Sequence, residues 1–339
     1  MLPVHRALSL LIFLLTVAPA RAPLLAQGLR YDYTQRDPLA EVAGDGWLKP
    51  ADELHPARFR TAAGAGIGAY AAAGVGLYAI WYRNYELEPF HFFNDWPEWE
   101  QMDKAGHAFT AYFFSRTAFA GLRWAGLKRP AARYTALGVA NLLQATIETM
   151  DGFSSKWGFS VGDMGSNLAG SLLFTVQDIA WQEQRILMKV SNDFRPIPDV
   201  PVGQGGTGNL GYVVRTRFGE NIFERYLKDY NAQTIWLSAN PAAFFPGSRL
   251  PQWLNVAVGY GVEDVYGAYN NTWRQDGTGY VYRDGDRHRQ LFLSPDVYLS
   301  RIPTRKRWVR LVLGILDFVK VPAPALEYSR GDFTFHWLM

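Results

Sequence analysis

Between Asp103 and Gln177 the chain runs through three mostly apolar stretches, and each carries polar side chains at steps of three and four residues. Asp103 and His107 stand four apart, with Thr110 next along; Asn141, Gln144, Glu148 and Asp151 step by three, four and three; Asp163 and Asn167 are again four apart, followed by Gly170 and Ser171. Such steps put each set on one face of a helix. A helix that is apolar elsewhere hides a polar stripe by packing it against a neighbour's, so the pattern dictates a bundle with a polar seam. The spacing predicts helices over residues 103–127, 130–150 and 160–189, with Pro130 in the first turn of the second and Asp151-Gly152 at its end.

A fourth helix is predicted upstream. Residues 61–82 form a 22-residue run without charge, rich in Ala and Gly and flanked by Arg58, Arg60 and Arg83. That length spans a bilayer and the small residues admit a close neighbour, although a buried helix of the same bundle has the same signature. The uncharged cores at 134–147 and 164–177 are 14 residues each, short for unaided crossing. Residues 84–102 are an aromatic, acidic connector with Phe90, Phe92, Phe93, Trp96 and Trp99, suited to a membrane interface or to a lid over a site.

Short connections make successive helices antiparallel, which brings Asp103, Lys104, His107, Glu148, Asp151, Asp163 and Asn167 to one end of the bundle. Such a set can hold a divalent metal, run acid–base chemistry, or grip a cationic or phosphate-bearing head group. His107, Glu148 and Asp163 are the catalytic candidates; Asp103, Lys104, Asn167 and Asp151 are the substrate-binding candidates. The rival reading is a buried hydrogen-bond network that fixes helix register and does nothing else. A metal is the weaker functional option, because one His lacks the paired-His spacing of a strong zinc site. Metal and cofactor are therefore left unassigned. His91 offers a second nitrogen but reads as an ordinary surface residue.

With 34 Lys+Arg against 31 Asp+Glu the net charge is +3, too small for a chain that coats nucleic acid. Hydrophobic residues at 48% support a large core. Cysteine is absent, which excludes disulfides, thiolate metal sites and lipidation on Cys. Mean hydropathy is −0.12, low for a chain made mostly of membrane helix. Residues 1–27 combine His5 and Arg6, an apolar run over 7–17 and small residues at Ala18, Ala20 and Ala26, the layout of a secretory signal or an uncleaved anchor. The expected location is the bacterial envelope, periplasmic or outer-membrane-associated. A multi-pass inner-membrane protein is the alternative, but the positive-inside rule and a cleaved signal then assign opposite sides to the acidic connector.

Past Val190 the texture changes. Residues 200–210 (V-P-V-G-Q-G-G-T-G-N-L) lack the Lys-Ser/Thr of a phosphate loop and read as linker. Alternation over 254–266, 290–301 and 326–337 predicts strands, with turns at Asp284-Gly285 and Arg330-Gly331. Residues 305–320 are basic at one end and apolar beyond, an interfacial or a core helix. The expected fold class is α+β: a four-helix bundle, then short antiparallel strands with one or two helices. The expected division is signal 1–27, extension 28–60, helical bundle 61–190, linker 191–210 and C-terminal α+β region 211–339. An outer-membrane β-protein is a weaker idea, since three strands are too few for a closed barrel.

W-P-E-W-E-Q-M-D-K-A-G-H-A-F-T-A-Y (96–112) and I-E-T-M-D-G-F-S-S-K-W-G-F-S-V-G-D-M-G-S-N-L-A-G (147–170) resemble the YfiM-like family of predicted periplasmic lipoproteins, a domain of unknown function. The resemblance runs through residues 90–177 and extends to Y-N-A-Q-T-I-W-L-S and V-P-A-P-A-L-E. More distantly, D-K-x-x-H, Glu148 and S-x-x-D-x-x-x-N-x-x-G are similar to VanZ-like membrane proteins linked to glycopeptide tolerance. That likeness makes Asp103, Lys104, His107, Glu148, Asp163, Asn167 and Gly170 the motif positions. Asp151 departs from it, standing where the VanZ-like pattern tends to have Gln. The expected function is an exported envelope protein whose His/carboxylate site binds or modifies a membrane lipid or lipid-linked precursor. The alternative is a scaffolding protein whose polar stripes merely lock the bundle.

Overall fold

The computed structural model describes residues 50–339 apart from positions 84, 194, 246, 284 and 305. The export-signal reading of residues 1–27, residues 28–49 of the extension and position 284 of the Asp284-Gly285 turn lie outside the described residues.

Helix α1 (Pro56–Leu77) continues through one π-helical turn to Tyr82. Helices α2 (Met102–Trp124), α3 (Arg129–Gly152) and α4 (Val161–Ala180) follow, and their apolar faces meet at Met102, Tyr112 and Phe119 of α2, Ala132 and Ala136 of α3 and Phe174 of α4. Gly170 sets the approach of α4 to α2: a Cβ there would stand 1.9 Å from the Ala108 carbonyl oxygen. Helix α1 lies on α2 through Ala62 and Gly121 and buries none of its own residues. The bundle has its four helices, and three of them make its core.

Among the described residues no helix is long and apolar enough to cross a membrane. This corrects the spanning reading of residues 61–82 and counts against the multi-pass alternative, because Ala and Gly supply length without enough hydropathy. Helix α4 also stops nine residues short of its expected end. The Gln177 side-chain oxygen accepts from the backbone N–H groups of Arg185 (2.9 Å) and Ile186 (2.8 Å), which stabilises a turn there and starts a strand.

That strand is β1 (Ile186–Asn192). Strands β2 (Pro201–Val202) and β3 (Gly208–Asn209) come next, then helices α5 (Leu210–Phe218) and α6 (Ile222–Lys228), strand β4 (Gln233–Ala239), helix α7 (Pro241–Phe244) and strands β5 (Leu254–Glu263), β6 (Thr272–Gln275), β7 (Thr278–Val281) and β8 (His288–Val297). Helix α8 (Arg307–Leu316) and strands β9 (Ala325–Ser329) and β10 (Asp332–His336) complete the chain. The class is α+β, as expected. The one or two helices foreseen in the second half are four, three of them only 9, 7 and 4 residues long, too short to show a helical period. Residues 200–210 form a tight hairpin rather than an open linker, with Tyr280 packed on Gly203 and Gly208.

Six strands form one antiparallel sheet in the order β1-β4-β5-β8-β9-β10. Two of its rungs are apolar along their whole length: Met188, Leu237, Val258, Leu293, Leu326 and Phe335, and Val190, Ile235, Tyr260, Leu291, Tyr328 and Phe333. The bundle covers this face over β1 and β4, where Met188, Val190 and Ile235 join the main core. Beyond it, Val258, Leu293 and Phe335 are 53%, 52% and 54% exposed. The opposite face is buried and largely polar. There Lys189 Nζ meets Asp296 Oδ2 at 2.9 Å, Ser238 donates to Asp296, and Gln290 and Glu327 pair beside Phe292.

Candidate functional site

Three local devices aim the polar stripes at one another. Ser160 caps α4, its hydroxyl accepting the Asp163 N–H at 3.0 Å, and so fixes Asp163 in the first turn. Pro130 in the first turn of α3 sets where that helix starts, and Glu148 lies near its other end, buried. Ahead of α2 the chain takes three consecutive left-handed residues, Trp99, Glu100 and Gln101 (φ 51°, 52° and 62°). Each such residue costs about 1–3 kcal/mol. The C-terminal half holds them: the Trp99 N–H donates to the Ala268 carbonyl (2.8 Å), Arg289 pairs with Glu100 (3.0 Å), and the Tyr260 hydroxyl donates to the Glu100 carbonyl. This strained turn delivers Asp103 and Lys104 to the cluster.

Six of the seven expected residues make one contact network. Lys104 Nζ lies 2.9, 3.1 and 2.7 Å from carboxylate oxygens of Asp95, Asp103 and Asp163, with 7% of its side chain exposed. It is an internal counter-charge, turned away from solvent. His107 Nδ1 lies 3.2 Å from Asn167 Oδ1, which also accepts from Gln144 Nε2 at 2.6 Å. His107 Nε2 faces Asp103 Oδ1 at 3.8 Å, Glu148 Oε1 at 3.7 Å and Asp163 Oδ1 at 3.7 Å. Glu148 is 1% exposed; its Oε2 accepts the Ser160 N–H (3.2 Å), while Oε1 has no hydrogen-bond partner. Asp151, the seventh, accepts from the Tyr82 hydroxyl at 2.7 Å and sits at the margin. His91 is not part of the cluster: both its ring nitrogens lie on backbone carbonyls, of Pro89 and Trp157.

Five carboxyl groups (Asp95, Asp103, Glu148, Asp151 and Asp163) thus share one lysine and one histidine, and their titration spreads apart. Burial, reinforced by Asp163 and Asp151, pushes Glu148 up to about 8. Burial raises Asp151 to about 6 and carries Asp163 up as well, with the Asp103 charge adding to it. Asp103 goes the other way: against its burial, His107, Lys104 and the Tyr230 hydroxyl hold it below the usual carboxylate range. Asp95 is likewise held down by hydrogen bonds from Asp163, Lys104 and Ser160. Carboxyl groups with opposed shifts around one imidazole can both hold and accept protons near neutral pH.

Sequence reasoning missed Asp95, Tyr82 and Tyr230. Asp95 was one acid among several in the connector, with nothing in its spacing to single it out. Tyr230, whose hydroxyl donates to Asp103 at 2.9 Å, lies 127 residues further along, so no local period reaches it. The one available signal was that it opens the Y-N-A-Q-T-I-W-L-S stretch of the family resemblance.

Residues 92–177 match the family model described as predicted periplasmic lipoprotein (DUF2279). The matched segment holds α2, α3, most of α4 and, apart from Tyr82 and Tyr230, every residue of the site. The description fits an exported envelope protein, although these 339 residues contain no Cys to carry a lipid. No curated protein and no solved structure matches the chain.

Proposed function

We propose that this exported envelope protein binds or modifies a membrane lipid or a lipid-linked envelope precursor at the bundle end, with His107 and Glu148 as the acid–base candidates. The observation that carries the reading is their arrangement: His107 Nε2 and the unpartnered Glu148 Oε1 face each other at 3.7 Å, too far for a mutual hydrogen bond and wide enough for a reacting group. Asp163 and Asn167 orient the imidazole, and Lys104 balances the carboxylates from within. The setting supports an amphiphilic substrate, since exposed Phe92, Phe93 and Trp96 border the cluster through Asp95, and the open part of the sheet's outer face is apolar.

The test compares envelope lipids, by mass spectrometry, from cells lacking the chain and complemented with wild type, His107→Ala or Glu148→Gln. A lipid species restored by wild type and by neither variant, with both variants melting within a few degrees of wild type, supports the reading. Identical lipid profiles in all four strains overturn it. So does a His107→Ala protein that loses function only by unfolding, with a stability cost on the order of 2 kcal/mol or more, because that outcome assigns the stripes to scaffolding.

A further inference from the structure

His107 Nε2 faces three carboxyl groups without being bonded to any of them. Asn167 Oδ1 is engaged as an acceptor by Gln144 Nε2, so the imidazole meets it with an Nδ1–H, and the lone pair is left on Nε2. That lone pair looks onto oxygens of Asp103, Glu148 and Asp163 at 3.7–3.8 Å. The four atoms converge on one space, while Lys104 Nζ on Asp163 Oδ1 (2.7 Å) and the Tyr230 hydroxyl on Asp103 Oδ1 (2.9 Å) hold two of the oxygens in place. The Nδ1–H to amide-oxygen contact is the arrangement that fixes a metal-ligating histidine from behind.

We propose that Asp103, His107 and Asp163 hold a divalent first-row metal ion, with Glu148 on its far side placed to take or give a proton. The three ligand atoms lie within 4.8 Å of one another. Two donors that are each about 2.1 Å from one ion stand about 3–4 Å apart, which matches the separations from Nε2. The independent observation is Glu148 itself: buried, unpartnered at Oε1 and aimed at the same nitrogen. One imidazole nitrogen with carboxylate oxygens suits Mn²⁺ or Zn²⁺ better than Ca²⁺. This proposal rests on the substrate reading of the site and revises its chemistry: with Nε2 on the ion and Nδ1–H on Asn167, His107 is a ligand and Glu148 alone moves the proton. A phosphate-bearing substrate meets a site whose one lysine is already shared by three carboxyl groups, and a divalent ion would give its phosphate a partner.

A second group, Glu263, His288 and Glu327, is equally compact but lacks the orphan atom. Its Glu327 accepts from Ser329 (2.6 Å), Gln290 (3.0 Å) and His336 (2.7 Å), and its Glu263 from Arg195 and Gln290. It serves as the control.

The experiment strips the full chain with chelator, then follows Mn²⁺ and Zn²⁺ uptake by equilibrium dialysis and Mn²⁺ coordination by electron paramagnetic resonance. One ion per chain is expected, with His107→Ala weakening affinity at least 100-fold, Asn167→Ala 10–100-fold, and His288→Ala leaving it unchanged. If His107→Ala does not fold, Asn167→Ala and the spectrum carry the result, since a nitrogen coupling on bound Mn²⁺ requires the imidazole. Failure of the stripped chain to take up either ion at submillimolar concentration overturns the proposal, as does wild-type affinity in Asn167→Ala or its loss in His288→Ala. Metal uptake is measured without lipid, so the two failures stay distinguishable: an unchanged lipid profile removes the substrate, and a failed titration removes the ion.

Discussion

At the scale of single residues, Lys320 separates burial from pairing. It is 1% exposed; its ammonium donates to the Val321 carbonyl (2.8 Å) and lies over the Trp236 ring, while the nearby Asp296 carboxylate is taken by Lys189. Burial, helped by Lys189 and opposed by Asp296, pushes it down to about 8. An unfolded lysine titrates at about 10.4, so between pH 8 and about 10.4 the unfolded chain binds more protons and stability rises with pH. Below pH 8 both states are charged and the full penalty applies. Lys320→Met should therefore raise stability at pH 7 by about 2 kcal/mol and flatten the rise between pH 8 and 10, measured by urea unfolding. Parallel pH profiles for wild type and variant would sink the assignment. The bundle-end residues show how far side-chain chemistry is legible beforehand. His107, Glu148 and Asp163 were readable because each sits at a helical step from another polar residue on a short stretch. Tyr230 and Asp95 reach the same place through tertiary packing, which leaves no period.

Between elements, glycine marks where helices touch and where they do not. The Cβ that Gly170→Ala adds would run into the backbone of α2 at Ala108, whereas at Gly138 of α3 nothing lies within 4 Å. Gly170→Ala should cost about 3 kcal/mol or more by prising α4 from α2, while Gly138→Ala should stabilise by up to about 1 kcal/mol through helix propensity. Chemical denaturation of the two variants checks both signs, and a neutral Gly170→Ala would mean that the helices are not in contact there. The strands show the limit of pattern reading. β5, β8 and β9 show in the sequence by alternation because only one of their faces is buried in this sheet, and β10 extends that alternation as an edge strand with little burial on either face. β1 and β4 are covered on both faces over most of their length, by the bundle on one side and the polar interior on the other. Such strands do not alternate, so the pattern merges β1 with the preceding helix and does not reveal β4.

Taken whole, the molecule reverses the usual placement of polarity in its second half. A sheet in water hides its apolar face and wets its polar one, yet here Lys189, Asp296, Gln290 and Glu327 are inside while Val258, Leu291, Leu293, Leu326, Tyr328, Phe333 and Phe335 face out. Charge returns to this face only at its end, with Arg289 opposite Val262. Helix α8 repeats the theme, with Trp308, Val312 and Ile315 exposed along one side, close to Lys306 and Arg310. Apolar surface of this extent calls for a covering partner, and a lipid surface is the one that the proposed function would supply. Each exposed side chain of this size is worth about 1–2 kcal/mol when withdrawn from water. The full chain should therefore float with vesicles of anionic phospholipid, and Leu293→Ser with Phe335→Ser should lower its partitioning about 10- to 100-fold while leaving the melting temperature within a few degrees. Equal flotation of the double variant would remove lipid from this face. A wild-type dimer in lipid-free solution that the same two substitutions dissociate would instead assign the face to a second copy of the chain, leaving the lipid reading to rest on the bundle end alone.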